Sequence, residues 1–390
     1  MENNSNDINI NLESSTVDRT KNDNISQHKI SMRQLMILFF FATVSGITRL
    51  AVNIADASQG SSKAVWLAPI AALLPVLFLI FILNQVIKKH RGKSFAQIIE
   101  MIFGKIFGKI ILFTFFIYII LYISFYVRNF AEKFISSIFT EISPSFFIIV
   151  LLLISVFAAR RNIESFARFA EVVFILVISV FAIAFFLAIF NVNPKNLYPV
   201  IAYDTLPVLK ASVPVISLLS LLTFTLFLGD RISHANTNSD IFKETSTKFV
   251  LFVTLFNLIG SLLIIGIFNA ETVSHMSMPY FMMFKTIKTT GLLQGLETFF
   301  ILFWVCMDFI MITYYLFIIS RISEKLFELD RSELFISLFV FIILILSYFI
   351  GANEFEVEYF YINIINYGAI ILGFGVPLFI LFVGKLRKIL

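Results

Sequence analysis

Thr43-Val44-Ser45-Gly46-Ile47-Thr48-Arg49 is the stretch on which the reading of this chain turns. Leu35-Met36-Ile37-Leu38-Phe39-Phe40-Phe41 precedes it and Leu50-Ala51-Val52 follows, so it sits in the middle of an apolar run. Hydroxyls, a glycine and an arginine are costly where a helix faces hydrocarbon, so such a segment turns toward protein or a water-filled cavity. Glycine weakens a helix, and Ser and Thr hydroxyls satisfy carbonyls that a break leaves open. The stretch therefore predicts a discontinuous helix whose break lines a small-molecule site.

Outward from that stretch, the whole chain is built for a bilayer. Of its 390 residues 59% are hydrophobic and only 14% charged, and the mean hydropathy is +0.92. A soluble domain carries about 25% charged residues, and apolar runs of about 20 residues mark membrane helices. The runs are continuous rather than alternating, which excludes a β-barrel. The fold class is all-α and polytopic. A basic pI near 9.1 reflects Lys- and Arg-rich loops at the membrane, not nucleic-acid binding.

Cys306 is the single cysteine, so no intrachain disulfide forms. His28, His90, His234 and His275 are scattered without metal-ligand spacing, and no metal or cofactor is expected. There is no nucleophile–base constellation or phosphate-binding glycine loop, so an enzyme is not expected. Residues 1–30 are rich in Asn, Ser and Asp and read as a disordered cytoplasmic tail, not a signal peptide.

Hydropathy predicts ten spans, at about 34–57, 65–87, 108–139, 145–159, 166–190, 207–229, 249–269, 293–321, 332–351 and 362–384. Alternate loops hold Lys88, Lys89, Arg91, Arg160, Arg161, Arg231, Lys243, Arg321 and Lys325, and Lys385, Arg387 and Lys388 close the chain. The opposite side is sparse in cations, and its 351–361 loop holds Glu354, Glu356 and Glu358 instead. By the positive-inside rule both termini are cytoplasmic.

Ten spans divide into halves of about 34–190 and 207–384, the pattern of inverted-repeat transporters whose first and sixth helices are broken. The sixth span is irregular in the expected way. Pro207 and Pro214 lie near its start, Ser217, Ser220, Thr223 and Thr225 punctuate it, and Gly229 precedes Asp230.

Several local stretches point to one family. They are Gly104-Lys105-Ile106-Phe107-Gly108-Lys109, Arg128-Asn129-Phe130-Ala131-Glu132, Ser143-Pro144, Arg168, Asn196-Leu197-Tyr198-Pro199-Val200, Pro279, Glu297 and Trp304. In order and spacing the chain resembles the GerAB-type spore germination proteins, the B subunits of nutrient germinant receptors within the amino acid–polyamine–organocation permease superfamily. The resemblance covers residues 30 to 388. It implies a LeuT-like fold, a small nutrient such as an amino acid as ligand, A-type and C-type receptor subunits as partners, and residence in the spore inner membrane. The chain departs from the pattern at Gly46-Ile47-Thr48, where such permeases keep Gly-x-Gly. It departs again at Asn53 in place of a proline, at Thr223 in place of a glutamate, and at Gln294-Gly295 in place of an acidic–basic pair.

Candidate ligand-binding residues are Thr43, Ser45, Gly46, Ile47 and Thr48 at the break, Ser217, Ser220 and Thr223 on one face of the sixth span, and Tyr122, with Tyr118, as a lid. Backbone amides at a half-helix N-terminus suit a carboxylate. The span-six hydroxyls have a second reading, as donors to carbonyls of their own helix. Four intramembrane charges stand out: Arg49, Arg128, Glu132 and Asp308. Arg49 pairs either with a substrate carboxylate or with Asp308 or Glu132, because a desolvated guanidinium needs a partner. Arg128 and Glu132, four apart, fit one ion pair on a helix face. Asp308 is either a protonatable coupling group or a structural partner of Arg49 or Arg128. Two functions follow: a germinant-sensing subunit, or a proton-coupled amino acid transporter.

Overall fold

The computed structural model describes residues 29–56, 62–137, 143–232, 239–287, 296–329, 332–351 and 354–388. Helices α1 (Met32–Val44) and α2 (Ile47–Asp56) are the two pieces of the first apolar run. Then come α3 (Ala68–Lys89), α4 (Phe95–Phe103), α5 (Lys105–Ser137), α6 (Pro144–Ala159) and α7 (Ile163–Ala188). Helix α8 (Thr205–Ser220) continues as a 3-10 helix over Leu221–Arg231. Helices α9 (Ser239–Phe268), α10 (Ala270–Ser274), α11 (Pro279–Thr286), α12 (Leu296–Leu326) and α13 (Ile336–Phe349) follow. The last helix alternates α14 (Glu354–Phe360), a π turn (Tyr361–Asn366), α15 (Tyr367–Ile370), a second π turn (Ile371–Gly375) and α16 (Val376–Leu386).

Among the described residues, seven helical stretches are long and apolar enough to cross a membrane, and three shorter apolar helices, α1, α6 and α13, accompany them. Burial sorts these into layers. In the stretch Ala202–Arg231, 89% of the most apolar window is buried, against 33% in Ile163–Asn191 and in Phe355–Leu386. The Ala202–Arg231 stretch is therefore central, and the Ile163–Asn191 and Phe355–Leu386 stretches are peripheral. Helix α1 is central too: every residue from Leu35 to Val44 is buried. It packs on α7 and α12, while α12 also meets α5 and α6, and α3 lies against α8 and α9. The outer helices present side chains such as Leu153, Phe157, Phe186 and Phe341 outward, the placement that suits lipid rather than water.

Local chemistry sets the start of α1. Ser31 and Gln34 form a reciprocal capping box, which satisfies two orphan amides. Just before it, Ile30 pairs with Ile232 in an isolated parallel bridge, its N–H donating to the Arg231 carbonyl at 2.9 Å. The beginning of α1 is thereby tied to the end of the 3-10 helix over Leu221–Arg231. Of the expected tail, residues 1–28 lie outside the described residues.

Helix α1 stops at Val44 and α2 starts at Ile47, so the interruption falls on Ser45-Gly46. The Ala202–Arg231 stretch differs from expectation. It is not interrupted but changes winding at Ser220/Leu221, where the α-helix tightens into eleven residues of 3-10 helix. Such a tightened run is uncommon at this length and marks strain or a hinge. Two surface helices, α4 and α11, also occupy ground that hydropathy alone leaves as loop. Helix α4 is short but has its own Ser94–Gln97 capping box and buries Phe95, Ile98, Ile99 and Ile102.

Candidate functional site

The interruption is a meeting point of three helices. A Cβ on Gly46 would lie 2.7 Å from the Tyr126 hydroxyl of α5 and 3.3 Å from Leu218 of α8. Glycine stands here because both neighbours approach its backbone too closely for any side chain. Next to it, the Ser45 hydroxyl donates to the Asp308 carboxylate of α12, across 263 residues of sequence. Asp308 is 3% exposed. The Trp304 indole, one turn earlier on α12, hydrogen-bonds the same carboxyl, and Lys133 of α5 is the cation that acts on it. Lys133 is itself 3% exposed.

Arg128 pairs with Glu132, as the four-residue spacing allows, and among the described side chains the cation that acts on Asp308 is Lys133. Lysine inside a buried membrane helix is itself a signal of function. Lys133 was legible on that ground, but its neighbours Arg128 and Glu132 already formed a plausible pair. The side chains of Ile47, Thr48, Arg49 and Glu297 lie outside the described residues, as does Gln294-Gly295.

On the other flank of Gly46 stands a cluster of phenols. Tyr122 packs its ring 4.6 Å from Tyr126 and 4.7 Å from Tyr315, centroid to centroid. The three phenols are in hydrogen-bond reach, Tyr122 interacting with both Tyr126 and Tyr315. Tyr118 differs: its hydroxyl donates to the Ile365 carbonyl at 2.9 Å.

The remaining candidates have structural partners. Thr43 donates to the Phe40 carbonyl at 2.8 Å, one turn back in its own helix. Ser217 donates to Asn366 at 2.9 Å, Ser220 to Ala369 at 2.8 Å, and Thr223 to Gly373 at 2.5 Å, all at backbone carbonyls of the last helix. The Ser220 hydroxyl also lies 2.7 Å from the Ser217 carbonyl of its own helix, the bond the second reading expects, while this ladder of contacts to the last helix is anticipated by neither reading. A π turn skips the usual backbone bond, and the ladder's rungs fall at and between the two π turns. The hydroxyls thus join α8 and its 3-10 continuation to the last helix at carbonyls that altered winding leaves available.

A cavity of about 250 Å³ opens beside the first rung, lined by Asn53 and Asp56 of α2, Lys210 and Pro214 of α8, and Tyr361 and Asn366 of the last helix. Asn53 and Asn366 are buried, and the Asn53 amide nitrogen and Asn366 amide oxygen have no partner. One donor and one acceptor thus face a hollow far larger than the ~10–15 Å³ a water needs. A larger hollow, about 1030 Å³, is an open cleft lined from α4, α5 and α12 by residues such as Gln97, Lys105 and Lys325, and holds none of the interruption residues.

Residues 29–355 match the family described as "Spore germination protein". The chain belongs to this family. No curated protein is similar enough to count as a match. Among solved structures, the fold is similar to that of Mhp1, a nucleobase–cation–symport-1 family transporter, in a closed conformation with bromovinylhydantoin bound. The TM-score is 0.57 at 13% identity, covering 89% of this chain and 76% of that one. At that identity the likeness is one of fold. This spore germination protein is thus a helical membrane protein of permease type, and its interrupted first helix lies in a transporter-like bundle.

Proposed function

We propose that this chain is the germinant-sensing subunit of a spore nutrient receptor, binding a small nutrient such as an amino acid and signalling to A-type and C-type partner subunits. The reading includes ten spans in a LeuT-like five-plus-five repeat, with halves at about 34–190 and 207–384. It places both termini in the cytoplasm and the protein in the spore inner membrane. The observation that carries it is the interruption at Ser45-Gly46, held between Asp308 and the tyrosines of α5 and α12, in a member of the spore germination family. A ligand that favours one arrangement of the interrupted helix shifts the population toward it, and partners docked on the bundle sense that shift.

Family membership and the family's name support germination over nutrient uptake. The test is to delete the gene from spores and restore it as wild type or Ser45→Ala, then follow germination against a panel of single amino acids. Loss of response on deletion, and a shifted dose-response with Ser45→Ala while the partner subunits still assemble, are expected. Unchanged germination on deletion would sink the receptor reading.

The second reading, a proton-coupled amino acid transporter, is favoured by one observation: Asp308 and Lys133 form a buried pair of opposite charges against the interruption. Uptake of labelled amino acid into proteoliposomes under a pH gradient, abolished in Asp308→Asn, supports that reading. Saturable binding without flux supports the receptor.

A further inference from the structure

Away from the interruption, four segments of the chain converge on a small cavity of about 80 Å³ at the end of the bundle. Arg160 and Arg161 follow α6, Asn162 and Ile163 begin α7, Arg231 ends the 3-10 helix, and Arg321 and Glu324 lie near the end of α12. Four guanidiniums thus surround one hollow. Its carboxylates are Glu324 and the adjoining Asp230, and both are bonded by Arg321. Glu324 also accepts from Ser332 at 2.8 Å. Arg160 donates to the Ser337 hydroxyl at 2.5 Å, a neutral partner that leaves its charge uncompensated. Arg161 lies over the exposed ring of Phe157, 5.0 Å from its centroid, which orients the guanidinium without neutralising it.

Arg160 and Arg161 meet a hydroxyl and a ring rather than a carboxylate, so two positive charges at the hollow are left for an anion. The first turn of α7, a 26-residue helix, adds its positive dipole end, and Asn162 makes no side-chain cap bond there. Glu164 answers part of that field but is paired with Arg168. Arginine forks match the oxygens of a phosphate group in pairs. The walls between the arginines are apolar, with Ala159, Leu228 and Phe317, and the outward ring of Phe157 stands beside them. Gathering like charges on a rim with an apolar wall suits an anion that brings an apolar tail.

We propose that this cavity binds a phosphate-type anion and that its occupant is the headgroup of an anionic phospholipid in the leaflet at the Lys- and Arg-rich end of the bundle. A bound phosphate bridges α6, α7, the 3-10 helix and α12, of which Arg321 already ties the last two together through Asp230. The site lies outside the interruption, so it stands whether the protein senses or transports.

The test uses the full chain in lipid nanodiscs of phosphatidylcholine alone or with one-fifth phosphatidylglycerol, with retained lipid measured by native mass spectrometry after detergent exchange. Wild type is expected to retain phosphatidylglycerol over phosphatidylcholine, and Arg160→Gln/Arg161→Gln to retain it at least fivefold less. Lys385→Gln/Lys388→Gln, which removes the same charge elsewhere at that end, is expected to behave as wild type. Inorganic phosphate titrated in detergent separates the sources. Competition by millimolar phosphate supports an anion site that free phosphate also fills, and absence of competition with retained lipid assigns it to the lipid alone. Equal loss in both double variants would reduce the effect to general surface charge and overturn the proposal. So would phosphatidylglycerol retention unaffected by the arginine changes, or none in wild type.

Discussion

Adding one methyl group at Gly373 tests the seam between α8, with its 3-10 continuation, and the last helix. A Cβ built there would fall 2.5 Å from the Ser220 carbonyl oxygen, 2.7 Å from its hydroxyl and 2.8 Å from its carbonyl carbon. Two of these atoms are backbone and cannot rotate aside. Reaching an ordinary contact of ~3.5 Å requires the last helix to withdraw by on the order of 1 Å. That shift takes the Ser220–Ala369 bond, now 2.8 Å, past hydrogen-bond range, and the Thr223–Gly373 bond, now 2.5 Å, to its edge. Overpacking of this kind costs about 1–3 kcal/mol, and each lost interhelical bond in a membrane about 0.6 kcal/mol. Alanine's better helix propensity returns up to about 1 kcal/mol. Gly373→Ala should therefore destabilise by roughly 1–3 kcal/mol.

Its control is two residues away. Gly375 has nothing within 4 Å of a built Cβ, so Gly375→Ala should be neutral or stabilising by up to about 1 kcal/mol. Ser220→Ala removes hydroxyl bonds alone and should cost about 0.6 kcal/mol. Thermal unfolding of the purified chain in detergent, followed by fluorescence of its two tryptophans, Trp66 and Trp304, gives the order. Equal midpoints for Gly373→Ala and Gly375→Ala would refute the seam.

Further expectations rest on the same geometry. Asp308→Asn removes the carboxylate that Ser45 and Trp304 bond and on which Lys133 acts, and should cost about 1–3 kcal/mol, while Asp308→Asn/Lys133→Met should recover part of that loss. A strictly additive double-mutant cycle would show that the two do not interact. Gly46→Ala pushes a methyl onto the Tyr126 hydroxyl and should cost about 1–3 kcal/mol, with Tyr126→Phe in that background restoring part of it, read from the same melts. His90 caps α3 outside the membrane helices, and burial, then Lys93 and Lys89, pull its pKa below 6.5. The unfolded chain takes up that proton first, so stability should fall as pH drops below about 6.5 and be insensitive to His90 above it. A His90→Gln variant should flatten that dependence between pH 7 and 5, and an unchanged profile would remove His90 as its source.

What the sequence determined by itself was local. Apolar runs of membrane length follow from composition, and the interruption at Ser45-Gly46 follows from small and hydroxylated residues that no lipid-facing helix would hold. The Arg128–Glu132 pair follows from helix periodicity, because its partners are one turn apart. Tertiary structure decided who meets whom across the fold. Ser45 reaches Asp308 over 263 residues, and Ser217, Ser220 and Thr223 reach the last helix over 149 or 150. No periodicity encodes such a meeting, because it depends on the packing angle and depth of two helices. The winding changes were hidden for a related reason. Isolated from its neighbours, the last run reads as an ordinary α-helix, and its π turns make sense only once hydroxyls of α8 and its 3-10 continuation stand opposite the carbonyls they offer. The interruption at Ser45-Gly46 is therefore a place named by local chemistry, whose neighbours, Tyr126, Leu218 and Asp308, were chosen by the fold.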